Sequence, residues 1–334
     1  MIMAAAIPGL SDLVDPSVRD AVSGFLADVE TGLYAAVASP DPLVAEVAAH
    51  LVRAGGKRFR PMVVALCAQF GDPNRPELLP AAVLMELTHL ATLYHDDVMD
   101  EASLRRGAAS ANSRWSNRLA VYVGDFLLAR AASMAAGLGD EAVRLQAATL
   151  SQLVRGQLAE TVGPRGGDPI RHHLRAVEDK TASLIATSAR FGGLFSGLPP
   201  AHVETLAAFG TAIGIAFQLS DDLLDIASES AQSGKTPGTD LREGVPTLPV
   251  LYALSDPSAA GPRLRELLSK GPLTDDGEHA EALALLRESA ALKQARETVH
   301  GYAEAARRSV GTLPAGAARQ TLEQFCHYIA DRTG

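Results

Sequence analysis

Apolar positions recur at three- and four-residue intervals through long stretches rich in alanine and leucine, and strand-like alternation is scarce, which predicts an all-α fold. The pattern places amphipathic helices around Ser17 to Val37 and Asp41 to Ala54, the second opened by Asp41 as N-cap with Pro42 in its first turn. Further helices are predicted over Met62 to Phe70, Leu78 to Met99, Leu119 to Ala136, Glu141 to Thr161, His172 to Leu198 and Ala201 to Ile226. Residues 1–16 read as a loose tail, and Val250 to Ala330 as helices without clustered chemistry. No Gly/Ser-rich linker divides the chain, so residues 17–334 are expected to form a single domain, a helical bundle.

Two of these helices carry acids in an unusual place. Leu84 to Val98 is mostly apolar, yet the helix ends in Asp96, Asp97 and Asp100. On an α-helix Asp96 and Asp100 share a face, with Asp97 about 100° round the axis. The run Ile213 to Ile226 repeats the spacing with Asp221, Asp222 and Asp225. Two or three acids on a helix are ordinarily a solvated face or its cap. These sets instead emerge from buried-looking helices, and two facing copies would make a cage for divalent metal. Oxygen-only ligands, without clustered cysteine or Glu-x-x-His, favour magnesium or manganese over zinc or di-iron.

Basic residues cluster in two loops. Gly55-Gly56-Lys57-Arg58-Phe59-Arg60-Pro61 brings cations to a helix N-terminus, an arrangement suited to phosphate. Arg105 and Arg106 directly follow the first acids, and guanidinium pairs bidentately with phosphate. Solvated arginines beside a helix cap, and a solvated turn, are the ordinary alternatives. His89 lies seven residues before Asp96, a register that turns it toward the same end. Lys180 and Thr181 are positioned either to reach the centre or to cap a surface, Gln218 lies one turn before Asp222, and Asp125 is taken as a structural, capping or buried acid. The polar loop Ser228 to Pro249, with Lys235, has the length of a lid.

Composition narrows the classes. A net charge of −9 argues against nucleic acid as partner. Cys67 and Cys326 have no metal or redox spacing, which fits small core residues in a reducing compartment. No apolar run reaches about 18 uninterrupted residues and the N-terminus lacks the basic start of a signal peptide, so a soluble, cytoplasmic protein is expected.

Together these residues resemble the trans-prenyl diphosphate synthases, most closely the long-chain enzymes that make quinone side chains. The resemblance spans about Leu51 to Leu251 and rests on Gly-Gly-Lys-Arg-Phe-Arg-Pro, both Asp-Asp-x-x-Asp motifs, Arg-Arg-Gly, Lys-Thr, Gln218, Gly-Lys and Asp-Leu-Arg-Glu-Gly, in order. It implies the all-α isoprenoid synthase fold around a deep central cavity. It also implies a homodimer, transient membrane contact at product release, and condensation of isopentenyl diphosphate with an allylic diphosphate. About three Mg2+ ions per active site would serve that reaction, with Mn2+ able to substitute. Asp96, Asp97, Asp100, Asp221, Asp222 and Asp225 would hold them. Arg105, Lys180 and Lys235 would grip the allylic diphosphate, and Lys57, Arg60, His89 and Arg106 the isopentenyl diphosphate. Gln218 and Thr181 would face the developing cation, and Glu160 corresponds to a further family acid. Val245 stands where family members commonly have lysine, and Arg332 is the one basic residue near the C-terminus.

Product length should follow from the floor beneath the first acids, where each helical turn of about 5.4 Å matches roughly one isoprene unit. Ala91 and Thr92, with Thr88 and Met85 below, leave that floor unobstructed, which predicts a product of about seven to ten units, C35 to C50. Met85 closing the tunnel would give geranylgeranyl diphosphate instead. A terpene cyclase fits poorly, since only 5% of residues are aromatic and the second motif is fully acidic. A non-catalytic subunit of a heteromeric synthase would ordinarily have lost acids or the basic loop.

Overall fold

Alanine and leucine enter helices at little cost, and 76% of the described residues are helical. The computed structural model describes residues 15–227 and 237–332; Lys235, and the 1–14 part of the expected tail, lie outside the described residues. The helices are α1 (Pro16–Ala36), α2 (Pro42–Ala48), α3 (His50–Arg53), α4 (Phe59–Ala68), α5 (Leu78–Met99), α6 (Ala111–Arg114), α7 (Asn117–Leu138), α8 (Asp140–Val162), α9 (Pro169–Val177), α10 (Ser183–Phe195) and α11 (Pro200–Ala227). They continue with α12 (Thr239–Glu243), α13 (Leu248–Ser255), α14 (Pro262–Leu268), α15 (Asp276–Arg287), α16 (Ala290–Val310) and α17 (Ala317–Asp331). Two compact units are distinguished: Met1–Ser151, Leu184–Gly210 and Ser309–Gln324 form the first, and Gln152–Ser183, Thr211–Arg308 and Phe325–Gly334 the second.

In the first unit α5 is the central element, packed by α1, α4, α6 and α7. Leu84, Leu87, Leu90, Ala91 and Tyr94 are buried among Val29, Leu33, Leu127 and Ala131, each large side chain contributing about 1.5–3 kcal/mol. The Tyr94 hydroxyl donates to the Val47 carbonyl at 2.5 Å and accepts from the Leu51 amide at 3.3 Å, tying α2 and α3 to α5. The single helix expected over Asp41 to Ala54 is broken at Ala49. His50 beyond the break bonds the Ala109 carbonyl at 2.7 Å, with its ring edge on Trp115. Asp41 caps α2 as expected. A hairpin not anticipated from the pattern joins β1 (Leu104–Arg105) to β2 (Ala108–Ala109). Arg106 and Gly107 form its two-residue turn, both at positive φ (53° and 77°), the backbone of a type I′ turn.

In the second unit the expected helix from His172 to Leu198 is interrupted by one π turn, Glu178–Ala182, between α9 and α10. Gly156 admits this turn, because a Cβ there would lie 2.3 Å from the Lys180 amide nitrogen. Within the described part of the expected 228–249 loop the chain folds as α12 and the start of α13. Among the described residues two helices, α7 and α11, have the length and hydropathy to cross a membrane, although neither is an uninterrupted apolar run. In α11 61% of the most apolar window is buried, against 33% in α7.

Candidate active site

The first acid set closes α5. Along that helix His89, Thr92, Leu93 and Asp96 are half-buried, Asp100 is exposed at the C-cap, and Met85, Thr88 and Ala91 are buried. Asp97 turns into the core, completely buried, where its Oδ1 accepts from Arg105 Nε at 2.6 Å. Its Oδ2 is buried with no hydrogen-bond partner. Burial pushes the Asp97 carboxyl above its ordinary range; Arg105 opposes that shift and Asp100 adds to it. Thus Asp96 and Asp100 form the outward pair, and Asp97 secures Arg105.

Around them cluster several cations. Arg58, which the sequence suggests is solvated or phosphate-facing, is instead buried at left-handed φ 47°. It donates to Glu86 Oε1, Glu30 Oε2 and the Val52 carbonyl, each at 3.1 Å. Its role is to brace the loop, and the sequence clue was Glu86, a lone acid inside an apolar helix. Arg106 bonds the carbonyls of Gly55 and Leu51, and Gly56 makes room for it, since a Cβ there would meet the guanidinium at 2.7 Å. Arg60 Nε is buried without a partner, and burial, with Arg106 nearby, lowers its guanidinium to about 10, still cationic at neutral pH. Burial, then Arg60, Arg106, Arg58 and Arg105, hold His89 well below its usual value and therefore neutral. Lys57 is exposed at the rim. Arg60, buried with an unpartnered Nε beside Arg106, is prepared for an anion.

The second acid set lies in the second unit, on α11. Asp221 Oδ1 accepts from Arg332 at 2.7 Å, and the same arginine donates to Ser220 Oγ and the Phe217 carbonyl and stacks on the Phe217 ring. Asp222 is buried, and its Oδ1 accepts from Gln218 Nε2 at 2.9 Å; Gln218 Oε1 in turn accepts from Thr181 at 3.1 Å. Burial, reinforced by Asp240, Asp221 and Glu160, pushes the Asp222 carboxyl up to about 8. Asp225 spends both oxygens on backbone, accepting from the amides of Thr239 at 3.2 Å and Asp240 at 3.1 Å, where it anchors α12. The π turn carries Lys180 to Glu160, with which it forms an ion pair. Asp125, taken from sequence as a capping or buried acid, is exposed and lies 3.5 Å from His95. Arg332, Asp240 and His173 are the neighbours that motif reading left unassigned.

Among the described residues no three His, Cys, Asp or Glu side chains already stand as a metal cage. The donor chemistry nonetheless fits a hard divalent cation. The acids are oxygen donors, Asp97 keeps a buried oxygen without a partner, and Asp222 sits where negative charge is in surplus. Mg2+ in such sites takes one or two carboxylates and completes its shell with phosphate oxygens and water, so no preformed cage is required.

The all-α fold, with acid pairs on two helices and a cation-rich loop, is that of a prenyltransferase built on the isoprenoid synthase fold. The sequence model of the polyprenyl synthetase family matches residues 41–286, and the chain belongs to that family, whose chemistry uses a divalent metal. It is 46% identical to a nonaprenyl diphosphate synthase of Mycobacterium tuberculosis over 97% of both chains. It is 39% identical to a heptaprenyl diphosphate synthase component 2 of Geobacillus stearothermophilus, over 93% of this chain and 97% of the other. Among solved structures it is similar, with TM-score 0.87 and 42% identity over 96% of this chain and 98% of the other, to a geranylgeranyl pyrophosphate synthase from Corynebacterium glutamicum complexed with calcium and isoprenyl diphosphate.

Proposed function

We propose that this protein is an all-trans polyprenyl diphosphate synthase that condenses isopentenyl diphosphate with an allylic diphosphate, to a long-chain product of about C35 to C50 used for quinone side chains. The observation that carries the reading is the buried, unpartnered Arg60 Nε beside Arg106, on the same unit as the outward pair Asp96 and Asp100. Isopentenyl diphosphate is assigned to Lys57, Arg60, His89 and Arg106. Arg105, Lys180 and Lys235 take the allylic diphosphate, and Asp96, Asp100, Asp221 and Asp222 hold Mg2+. Asp97 fixes Arg105.

The allylic carbon–oxygen bond breaks with its electron pair going to the diphosphate, the isopentenyl double bond attacks the resulting cation, and loss of a proton regenerates an allylic diphosphate. Bound Mg2+ supplies charge neutralisation on the departing diphosphate. The chain adds fixed guanidinium and ammonium groups, each positioned donor being worth about 3 kcal/mol in the transition state. Among the described residues no side chain is placed as a dedicated base, and the departing diphosphate takes the proton. Thr181 and Gln218, linked to each other, present dipoles to the cation.

The test is to incubate the purified chain with Mg2+, labelled isopentenyl diphosphate and primers of increasing length, then size the products. Products of about seven to ten units support the reading. A four-unit product alone, the outcome that similarity to the Corynebacterium enzyme favours, overturns the long-chain assignment. No product from the chain alone would place it with the component-type relative as one part of a heteromeric synthase. We further assign the exposed apolar face of α7, with Val121 and Tyr122, to contact with a second copy of the chain in a soluble cytoplasmic homodimer. Tyr122→Glu should convert a dimer into a monomer in light scattering.

A further inference from the structure

We propose that His173, on α9, is a positioning residue for Asp222; the proposal rests on the reading that Asp222 holds a divalent cation. The two adjacent acids of α11 are held differently. Asp221 is half-buried and paired with a full charge, Arg332, whereas Asp222 is buried and its Oδ1 is held by the neutral amide of Gln218 at 2.9 Å. The remaining oxygen, Oδ2, faces His173 Nε2 across 3.9 Å, a gap longer than a hydrogen bond. That nitrogen is buried with no hydrogen-bond partner, and a buried polar group left so costs free energy until it finds one. A modest turn of the imidazole closes the gap and gives each oxygen of Asp222 its own donor, which fixes the plane of the carboxylate.

The chemistry of the pair suits that task. An imidazole offers a single N–H on a rigid ring. A lysine or arginine in its place would compete with the metal for the same oxygen. Outer-shell donors of this kind orient a ligand and raise its basicity, and their loss typically weakens metal binding about 10- to 100-fold. His173 is therefore a specific partner of one carboxylate and touches neither substrate.

The experiment counts bound Mn2+ by electron paramagnetic resonance on the full-length protein with saturating inorganic pyrophosphate. His173→Phe keeps the bulk and removes the N–H, and His173→Leu serves the same comparison if the phenylalanine variant does not fold; His173→Gln keeps a donor. The apolar variant should bind Mn2+ about 10- to 100-fold more weakly, and the glutamine variant within about threefold of wild type. In the prenyl transfer assay the apolar variant should need correspondingly more Mg2+ while KM for isopentenyl diphosphate holds. Wild-type Mn2+ affinity in the apolar variant, or equal losses in both variants, would overturn the proposal. Asp222→Asn separates the two claims: it should lose Mn2+, and if it keeps full Mn2+ binding then the metal role of Asp222 itself is wrong, whatever His173 does.

Discussion

The two acid-bearing halves differ in how their charges are matched. In the first unit the acids stand at the end of α5 beside Arg60, Arg105 and Arg106, the two buried acids there, Glu86 and Asp97, are engaged by Arg58 and Arg105, and His89 is kept neutral. In the second unit Asp221 and Asp222 sit in the last two turns of α11 with Asp240 and Glu160 nearby, and the cations are few: Arg332 holds Asp221, and Lys180 is paired with Glu160. One motif repeated in sequence thus serves two different electrostatic tasks. On the proposed reading the buried cations of the first half would receive diphosphate beside the metal-holding Asp96 and Asp100, and the second half would receive metal.

The largest expected effect tests the cation half. Asp222→Asn should lower kcat/KM by about 10³-fold, with the Mg2+ requirement raised and KM for isopentenyl diphosphate little changed; a change in KM alone would break the distinction between halves. Arg58→Ala should destabilise the first unit by about 3–5 kcal/mol, because it leaves Glu86 buried and unpaired, and thermal melting reads this directly. Arg60→Gln should cost about 10²-fold in kcat/KM for isopentenyl diphosphate while leaving the Mg2+ requirement and the melting temperature near wild type.

Smaller effects sharpen the contrast. The Asp222 carboxyl rises from 3.8 to about 8 on folding, so its contribution to stability is present below the lower value and lost as pH rises through the higher one. Metal-free protein should therefore melt lower at about pH 9 than at about pH 6, and Asp222→Asn or added divalent metal should remove that part of the slope. Thr92→Phe, on the half-buried face of α5, should shorten the product at little cost in stability. Ala91→Phe, in the packed core, should also shorten it but at about 1–3 kcal/mol.

Much of this was legible in the chain because the strongest signals are local. Leu78–Met99 is found with the bounds that its apolar periodicity predicts, and α11 within a residue of them. The acid spacing, the basic loop and Gln218 one turn before Asp222 are sequence facts that helical geometry turns into proximity. What pattern reading missed depends on partners distant in sequence. The buried role of Arg58 needs Glu30, the π turn at Lys180 needs the absent side chain of Gly156, and the reach of Arg332 to Asp221 spans the length of the second unit's segments. Arg106 at positive φ gave no composition signal, because a left-handed arginine is imposed by its hairpin rather than preferred.

The central claim is that acids on this chain engage divalent metal to drive prenyl transfer to diphosphate-bearing substrates. Its most direct measurement is incorporation of labelled isopentenyl diphosphate by the purified chain before chelation, after chelation, and after Mg2+ is restored. Elongation that stops with chelator and returns with Mg2+ is the predicted result; undiminished elongation in the chelated protein would contradict it.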